Sequence, residues 1–254
     1  MKILVCIKQV PDTTEVRLDP ATGTLIREGI PSIINPDDKA GLEAALRLKD
    51  EHGAHVAVLS MGPPQADLAL REALAMGADE AILLTDRAFG GADTWATSST
   101  LASAISGMEY DLIITGRQAI DGDTAQVGPQ IAEHLGIPNI SYAEELRVED
   151  GYVVARRQYE DRSHMLKVRM PCLITALSEL NEPRYMTPRG IFEAFREREV
   201  KLLTRADLAI DDGNIGLKGS PTRVMKSFTK AAKGKGTVVD LDARSAADWI
   251  TERL

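Results

Sequence analysis

Four short apolar runs, each followed by a helix-length segment that a glycine ends, set the architecture this chain can adopt. Lys2 to Val10, His55 to Leu59, Ala81 to Leu84 and Leu112 to Thr115 read as strands. The segments opening at Pro36, Gln65, Thr94 and Gln126 read as helices that stop at Gly53, Gly77, Gly107 and Gly136. Nearly continuous apolar strands suit a sheet covered on both faces, and helices of this length make right-handed crossovers between parallel strands. The expected fold class is therefore α/β, a doubly wound and mostly parallel sheet.

The pattern departs from strict alternation in three places. Val16 to Leu18 and Thr24 to Ile26 flank the turn-rich Asp19-Pro20-Ala21-Thr22-Gly23 and predict a hairpin. Glu145 to Val148, Tyr152 to Arg156 and Met165 to Val168 predict an antiparallel addition, after which Cys172 to Ala176 returns as an apolar strand. Beyond Leu203, periodicity fades among Asp211-Asp212-Gly213-Asn214, Gly219-Ser220-Pro221 and Lys233-Gly234-Lys235-Gly236. The expected division is an α/β domain over 1–200 and a C-terminal arm over 201–254. That arm would become ordered on a partner and end in a short helix over Asp248 to Leu254.

Composition narrows the function classes. A net charge of −8 argues against nucleic-acid binding, which needs a cationic footprint. No run approaches the ~18 apolar residues of a membrane span, and the opening MKILVCIKQVPD reads as a strand rather than a leader, so the expected location is cytoplasmic. The two cysteines, Cys6 and Cys172, offer no paired spacing, and the four histidines show no ligand spacing, so no metal site is expected. Cys6 reads as a small buried hydrophobe.

In an open α/β sheet, ligands bind beyond the carboxyl ends of the strands. Those ends carry Ile7 to Val10, Ser60 to Pro63, Asp86 to Thr94, and Gly116 to Thr124. Neither the dinucleotide glycine fingerprint nor the P-loop is present, and zinc-protease and serine-hydrolase signatures are absent too. The most informative segment runs from Thr115 to Pro129. A strand ends, Gly116 permits close backbone approach, and a polar loop enters a helix near Thr124, where free N–H groups suit a phosphate or pyrophosphate. Asp121 and Asp123 would serve as ribose acceptors, as an N-cap or as loop organisers; an ordinary capped helix entry accounts for the same residues. Asn35, followed by Pro36, Asp37 and Asp38, is the expected cap of the first helix.

Gly116-Arg117-Gln118-Ala119-Ile120-Asp121-Gly122-Asp123-Thr124-Ala125-Gln126-Val127-Gly128 closely resembles the nucleotide loop of electron-transfer flavoprotein β subunits. Val5 to Asp12, Ala73 to Asp79, and Leu180-Asn181-Glu182-Pro183-Arg184-Tyr185-Met186 agree with the same family in order and spacing, so the resemblance spans nearly the whole chain. It implies an adenine-nucleotide α-hydrolase-like domain that pairs with an α subunit, around which the C-terminal arm wraps. The β site would hold AMP as a structural ligand or, in a bifurcating subgroup, a second FAD that receives hydride from NADH. One electron would then pass to an acyl-CoA dehydrogenase-type flavoenzyme and the other to ferredoxin or flavodoxin.

Carried over by position, the family's nucleotide contacts fall on Cys6, Asn35, Pro36, Asp37, Asp38 and Met61. They continue on Gly116, Arg117, Gln118, Ala119, Ile120, Asp121, Gly122, Asp123, Thr124, Ala125, Gln126 and Val127. The family's partner-recognition loop falls on Asn181 to Ile191, with Asn181, Glu182, Pro183, Arg184, Tyr185 and Met186 at its head. It continues as Thr187-Pro188-Arg189-Gly190-Ile191, without the leucine anchor that animal members present. That version, and Gly90-Gly91-Ala92-Asp93-Thr94-Trp95-Ala96-Thr97-Ser98, resemble the two-flavin subgroup and add Asp93, Thr94 and Thr97 to the expected cofactor site. A glycine turn with a threonine cap would serve the latter stretch equally. A different class, an ATP-binding regulatory α/β protein or adenylating enzyme, would use the same loop but needs a glycine–lysine arrangement that the chain lacks. No residue pattern marks a general acid, base or nucleophile, so redox chemistry would belong to the cofactors.

Overall fold

The computed structural model describes residues 1–12, 17–18, 25–26, 31–222 and 238–253. Its centre is a nine-stranded sheet. Among the described residues the strands, in chain order, are β1 (Lys2–Cys6), β2 (Gln9–Pro11), β3 (Arg17–Leu18), β4 (Leu25–Ile26), β5 (Ser32–Ile34), β6 (His55–Met61), β7 (Glu80–Leu84), β8 (Leu112–Gly116), β9 (Asn139–Glu149), β10 (Tyr152–Gln158), β11 (Ser163–Arg169), β12 (Cys172–Ala176) and β13 (Lys201–Leu203). The helices are α1 (Pro36–His52), α2 (Asp67–Met76), α3 (Thr94–Ser106), α4 (Val127–Leu135), α5 (Pro188–Arg196) and α6 (Ala243–Thr251).

Across the sheet the order is β11-β10-β9-β12-β8-β1-β6-β7-β13. Neighbours from β9 to β13 run parallel, while β10 and β11 are antiparallel additions. The expected doubly wound, mostly parallel α/β fold with an antiparallel addition is what the chain adopts. Strand alternation divides the core in two, because successive side chains point to opposite faces. Ile3, Val5, Val58 and Ile114 pack with Leu42 and Ala45 of α1 and Leu70 and Ala73 of α2 on one face. Leu4, Leu59, Ile82 and Ile113 pack with Leu101 and Ile105 of α3 and Ile131 of α4 on the other.

Three expectations need correction. The run from Lys2 to Val10 is not one strand. It turns after Cys6, where the Lys8 amide donates to the Asp38 carboxylate instead of a neighbouring strand, and resumes as β2, antiparallel to β5. The last helix begins at Ala243 rather than Asp248, with Asp242 accepting from the Arg244 and Ser245 amides as its cap. Finally, the first compact unit runs from Met1 to Arg223 and the second from Val224 to Leu254. Residues 201–222, expected in the arm, fall within the first unit, and the first three of them join the sheet as β13, paired with β7 through Lys201–Ile82, Leu202–Leu83 and Leu203–Leu84. The faded periodicity hid this edge strand because three residues are too few to show a period. Arg17 and Leu18 pair with Ile26 and Leu25 as the predicted hairpin requires; Val16, Thr24 and the intervening turn lie outside the described residues.

Close packing of α4 on the sheet depends on Gly128. A Cβ there would stand 2.6 Å from Thr115 Oγ1 and 2.8 Å from Thr175 Cγ2. Gly128→Ala should therefore cost about 1–3 kcal/mol by overpacking. Gly122→Ala, where a Cβ meets nothing within 4 Å, should stay within about 0.5 kcal/mol of wild type. Denaturant midpoints of the two variants check this; equal midpoints would show that the backbone absorbs the added methyl.

Candidate functional site

The chain moves from β1 outward through β6 and β7, then returns to place β8 on the other side of β1. Beyond the carboxyl ends of β1 and β8 lies the switch-point crevice where open α/β sheets bind ligands. The first turn of α1 sits over it. Asp38 Oδ2 accepts from the Lys8 amide at 2.8 Å and Asp38 Oδ1 from the Gly116 amide at 2.9 Å, so one carboxylate joins the tails of both strands. Gly116 is required by this joint: a Cβ would fall 2.1 Å from Asp38 Oδ1 and 2.9 Å from Asp37 Cβ. Burial pushes the Asp38 carboxyl up to about 7, against the hydrogen bonds from Lys8, Asn35 and Gly116 that favour its charge. Burial also raises Asp37, opposed by Arg117, whose Nε stands 3.4 Å from Asp37 Oδ2.

Asn35 is not the side-chain cap the sequence suggested. It is fully buried, and its amide grips the loop twice: Nδ2 donates to the Gln118 carbonyl at 2.8 Å and Oδ1 accepts from the Ile120 amide at 3.0 Å. Pro36 opens α1 at the exposed rim. Lys8 supplies a further fastening that sequence reasoning left unassigned, its ammonium donating to both Asp121 oxygens at 2.7 and 2.8 Å. Gln118 donates to Asp123 within the loop. The Gly122 and Asp123 amides both return to the Ala119 carbonyl. Asp123 and Ala125 adopt left-handed φ angles of 52° and 53°, a tight path that few side chains favour. Asp121 and Asp123 are therefore loop organisers, and Asp123 is not an N-cap. The helix starts at Val127, later than Thr124, and no side chain caps it. Its Val127 and Gly128 amides have no hydrogen-bond partner among the described residues and are left for another acceptor, while Pro129 has no N–H and Gln130 donates to the Gln126 carbonyl.

Across the crevice, Asp93 caps α3, Oδ1 accepting from the Ala96 amide at 3.0 Å. Thr94 Oγ1 donates to Gln126 Oε1 at 3.0 Å, tying the starts of α3 and α4 together. Thr97 lies one turn into α3, its amide bonded to the Asp93 carbonyl. Cys6 and Met61 end β1 and β6. Burial, with the Asp38 charge adding to it, pushes the Cys6 thiol up to about 12, so it stays a thiol. The structure thus gathers the sequence-predicted residues at the carboxyl end of the sheet. A surface groove of about 320 Å³ lies elsewhere, along α3 and α4 beside Trp95, Ser103 and His134.

The expected recognition loop leaves β12 through a 3-10 turn over Ser178–Leu180. Asn181, Glu182 and Pro183 lead to Arg184, which is clamped to α1. Its amide and Nε donate to Glu43 Oε2 at 3.1 and 2.8 Å, and Nη2 reaches Glu43 Oε1 at 3.1 Å and Asp50 at 2.8 Å. Glu43 is only 3% exposed, and no local signal marked it because its partner lies 141 residues on. Beyond the clamp Tyr185 is 96% exposed and Met186 stands out beside it.

Asp38 makes a pH test possible. Between the unfolded value near 3.8 and the folded value of about 7 the folded protein holds a proton that the unfolded chain has released. Wild-type stability should therefore fall as pH rises through that window and level off above it. The carboxylates of Asp79, Asp93 and Asp207 are held below 3.8 and contribute the opposite slope below that value. Asp38→Asn should flatten the fall; denaturation midpoints across the window with equal slopes in both proteins would remove Asp38 as its source.

Comparison with known proteins agrees with this geometry. A family model described as an electron transfer flavoprotein domain matches residues 22–207. The electron transfer flavoprotein subunit beta of Clostridium acetobutylicum is 60% identical over 254 residues, covering 100% of this chain and 98% of its own. The caffeyl-CoA reductase-Etf complex subunit CarD of Acetobacterium woodii is 55% identical over 241 residues, 94% of this chain and 92% of its own. The acryloyl-CoA reductase electron transfer subunit gamma of Anaerotignum propionicum is 45% identical over 262 residues, 100% of this chain and 98% of its own. The chain belongs to the electron transfer flavoprotein family, among its beta subunits.

Proposed function

We propose that this electron transfer flavoprotein β subunit pairs with an α subunit and binds FAD at the 116–127 loop. The complex would take electrons from NADH and divide them between an acyl-CoA dehydrogenase-type flavoenzyme and ferredoxin or flavodoxin. The observation that carries the nucleotide site is the loop itself, stapled at Asn35, Asp38 and Lys8 and leading into a helix with no side-chain cap. Two relatives bear the names of CoA-thioester reductase systems, which supports a flavoenzyme partner of that type. The Gly90–Ser98 and Met186–Ile191 stretches support FAD over AMP and the bifurcating reading. A cytoplasmic setting goes with the reading; among the described residues no helix is long and apolar enough to cross a membrane.

The residues suit an adenine dinucleotide. The Val127 and Gly128 amides at the start of α4 would hold its pyrophosphate. Lys8 neutralises Asp121, so this loop carboxylate does not repel the bound anion. Thr94 gives its proton to Gln126, which leaves its oxygen lone pairs free to accept. A bound flavin supplies two-electron uptake with one-electron release, chemistry the side chains here do not offer. Arg184 fixes the base of the recognition loop on α1, so Tyr185 and Met186 project from a rigid mount. The same anion site would accept AMP, the non-bifurcating alternative.

Co-purified with its α subunit, the protein should carry two flavins per heterodimer; one flavin together with AMP would end the bifurcating reading. Thr94→Val should change NADH reduction kinetics of the β-site flavin while α-flavin content holds, and unchanged kinetics would remove Thr94 from the site. Arg184→Gln should raise the apparent KM for the flavoenzyme partner by about tenfold, the scale of one lost charged hydrogen bond. An unchanged KM with normal flavin content would show that the clamp does not shape partner docking.

A further inference from the structure

Asp93 has no free carboxylate oxygen. Besides capping α3 through Oδ1, it accepts at Oδ2 from the Thr222 amide at 2.9 Å and the Thr222 hydroxyl at 2.8 Å. Its own amide donates to Ser220 Oγ at 2.8 Å, and that buried hydroxyl passes its proton to the Gly216 carbonyl at 2.8 Å. The segment it holds is pressed onto the preceding loop. Leu217 donates its amide to the Gly90 carbonyl at 3.0 Å, and a Cβ at Gly216 would stand 2.0 Å from the Ala88 carbonyl oxygen. One residue along, Thr94 bonds Gln126 at the mouth of α4. Beyond Thr222 the chain runs on into the second compact unit, which starts at Val224.

We propose that Asp93 is a positioning residue that couples the seating of residues 215–222 to the conformation of the 116–127 loop. Nucleotide occupancy and the anchoring of the chain's exit toward residues 224–254 then change together. The proposal deepens the functional reading above, since it takes that loop as the nucleotide site. The physical basis is a shared carboxylate: one oxygen orders the first turn of α3, which carries Thr94, and the other orders Thr222. Freeing Thr222 relaxes the cap, and a shifted α3 start moves Gln126. A ligand that fixes Gln126 works through the same bonds in reverse, as linkage requires.

Asparagine separates the two roles. In Asp93→Asn the side-chain carbonyl still caps Ala96, but the amide group faces the Thr222 backbone amide as donor against donor, and the Thr222 hydroxyl, now turned to accept, is the one bond left there. Hydrogen exchange on the heterodimer, stripped of nucleotide and then reloaded with FAD or AMP, reads the outcome. In the wild type, loading should slow exchange at 215–222. In Asp93→Asn, exchange should rise about tenfold at 215–222 and also at 119–127, while the Ala96 amide stays protected. Thr222→Val, which leaves Asp93 in place, should give the same paired response more weakly and lower FAD and AMP affinity several-fold. Faster exchange confined to 215–222 in Thr222→Val, with the 119–127 amides and nucleotide affinity unchanged, would overturn the coupling. A wild-type heterodimer whose β site takes neither FAD nor AMP would instead sink the nucleotide reading, and the paired exchange response in the stripped protein would still decide the coupling.

Discussion

The site depends on one buried carboxylate standing where two strands end. Asp38 is held at the first turn of α1, and its two oxygens take the amides that β1 and β8 can no longer give to the sheet. An unpaired buried amide is costly, so a chain that diverges at a switch point needs some group to satisfy both ends. Asp38 does this only because residue 116 has no side chain; the approach that brings carboxylate to amide leaves no space for a Cβ. The glycine of the nucleotide loop thus serves first the protein's own closure.

Around that joint the two faces of the sheet hold different outgoing segments. The α1 face anchors the loop after β12 through Arg184, Glu43 and Asp50. The α3 face anchors residues 215–222 through Asp93 and the close approach at Gly216. Both anchoring helices start at the switch-point crevice: Asn35 and Asp38 at the start of α1 hold the 116–127 loop, and Thr94 at the start of α3 bonds Gln126. Charge balance within the site is local: Lys8 answers Asp121, Arg117 faces Asp37, and Asp38 is relieved by burial's preference for a proton.

Much of this was legible in the sequence, for reasons that differ by residue. Apolar runs and helix periods near 3.6 showed most of the sheet and helices α1 to α4, though not α5, the crossover to β13, and Gly53 and Gly136 ended helices in the left-handed conformation expected of them. The loop at Gly116 stood out because glycine, polar residues and a helix entry coincide there. What stayed hidden was side-chain partnership across long separations. Asn35 looks like a cap in any window of ten residues, yet its amide is claimed by Gln118 and Ile120, more than eighty positions away. Glu43 looks like an ordinary helix-surface acid until Arg184 folds over it. β13 has three residues and gains its order from β7, so no local pattern could announce it.

Helix α1 carries Asn35 and Asp38 at one end and Glu43 and Asp50 along its length, so it is a spacer with a fixed phase as well as a fixed length. Its 17 residues span roughly 25 Å, with a turn of about 100° per residue. Glu43 and Asp50 sit two turns apart and share one side, while Asp38 faces another. A single residue inserted between Asp38 and Glu43 would lengthen the spacer by only ~1.5 Å but swing the Arg184 anchor about 100° around the axis. The geometric relation between the loop that would hold the nucleotide and the loop that projects Tyr185 is therefore written as a count of residues. It tolerates substitution on the helix surface far better than any change in that count.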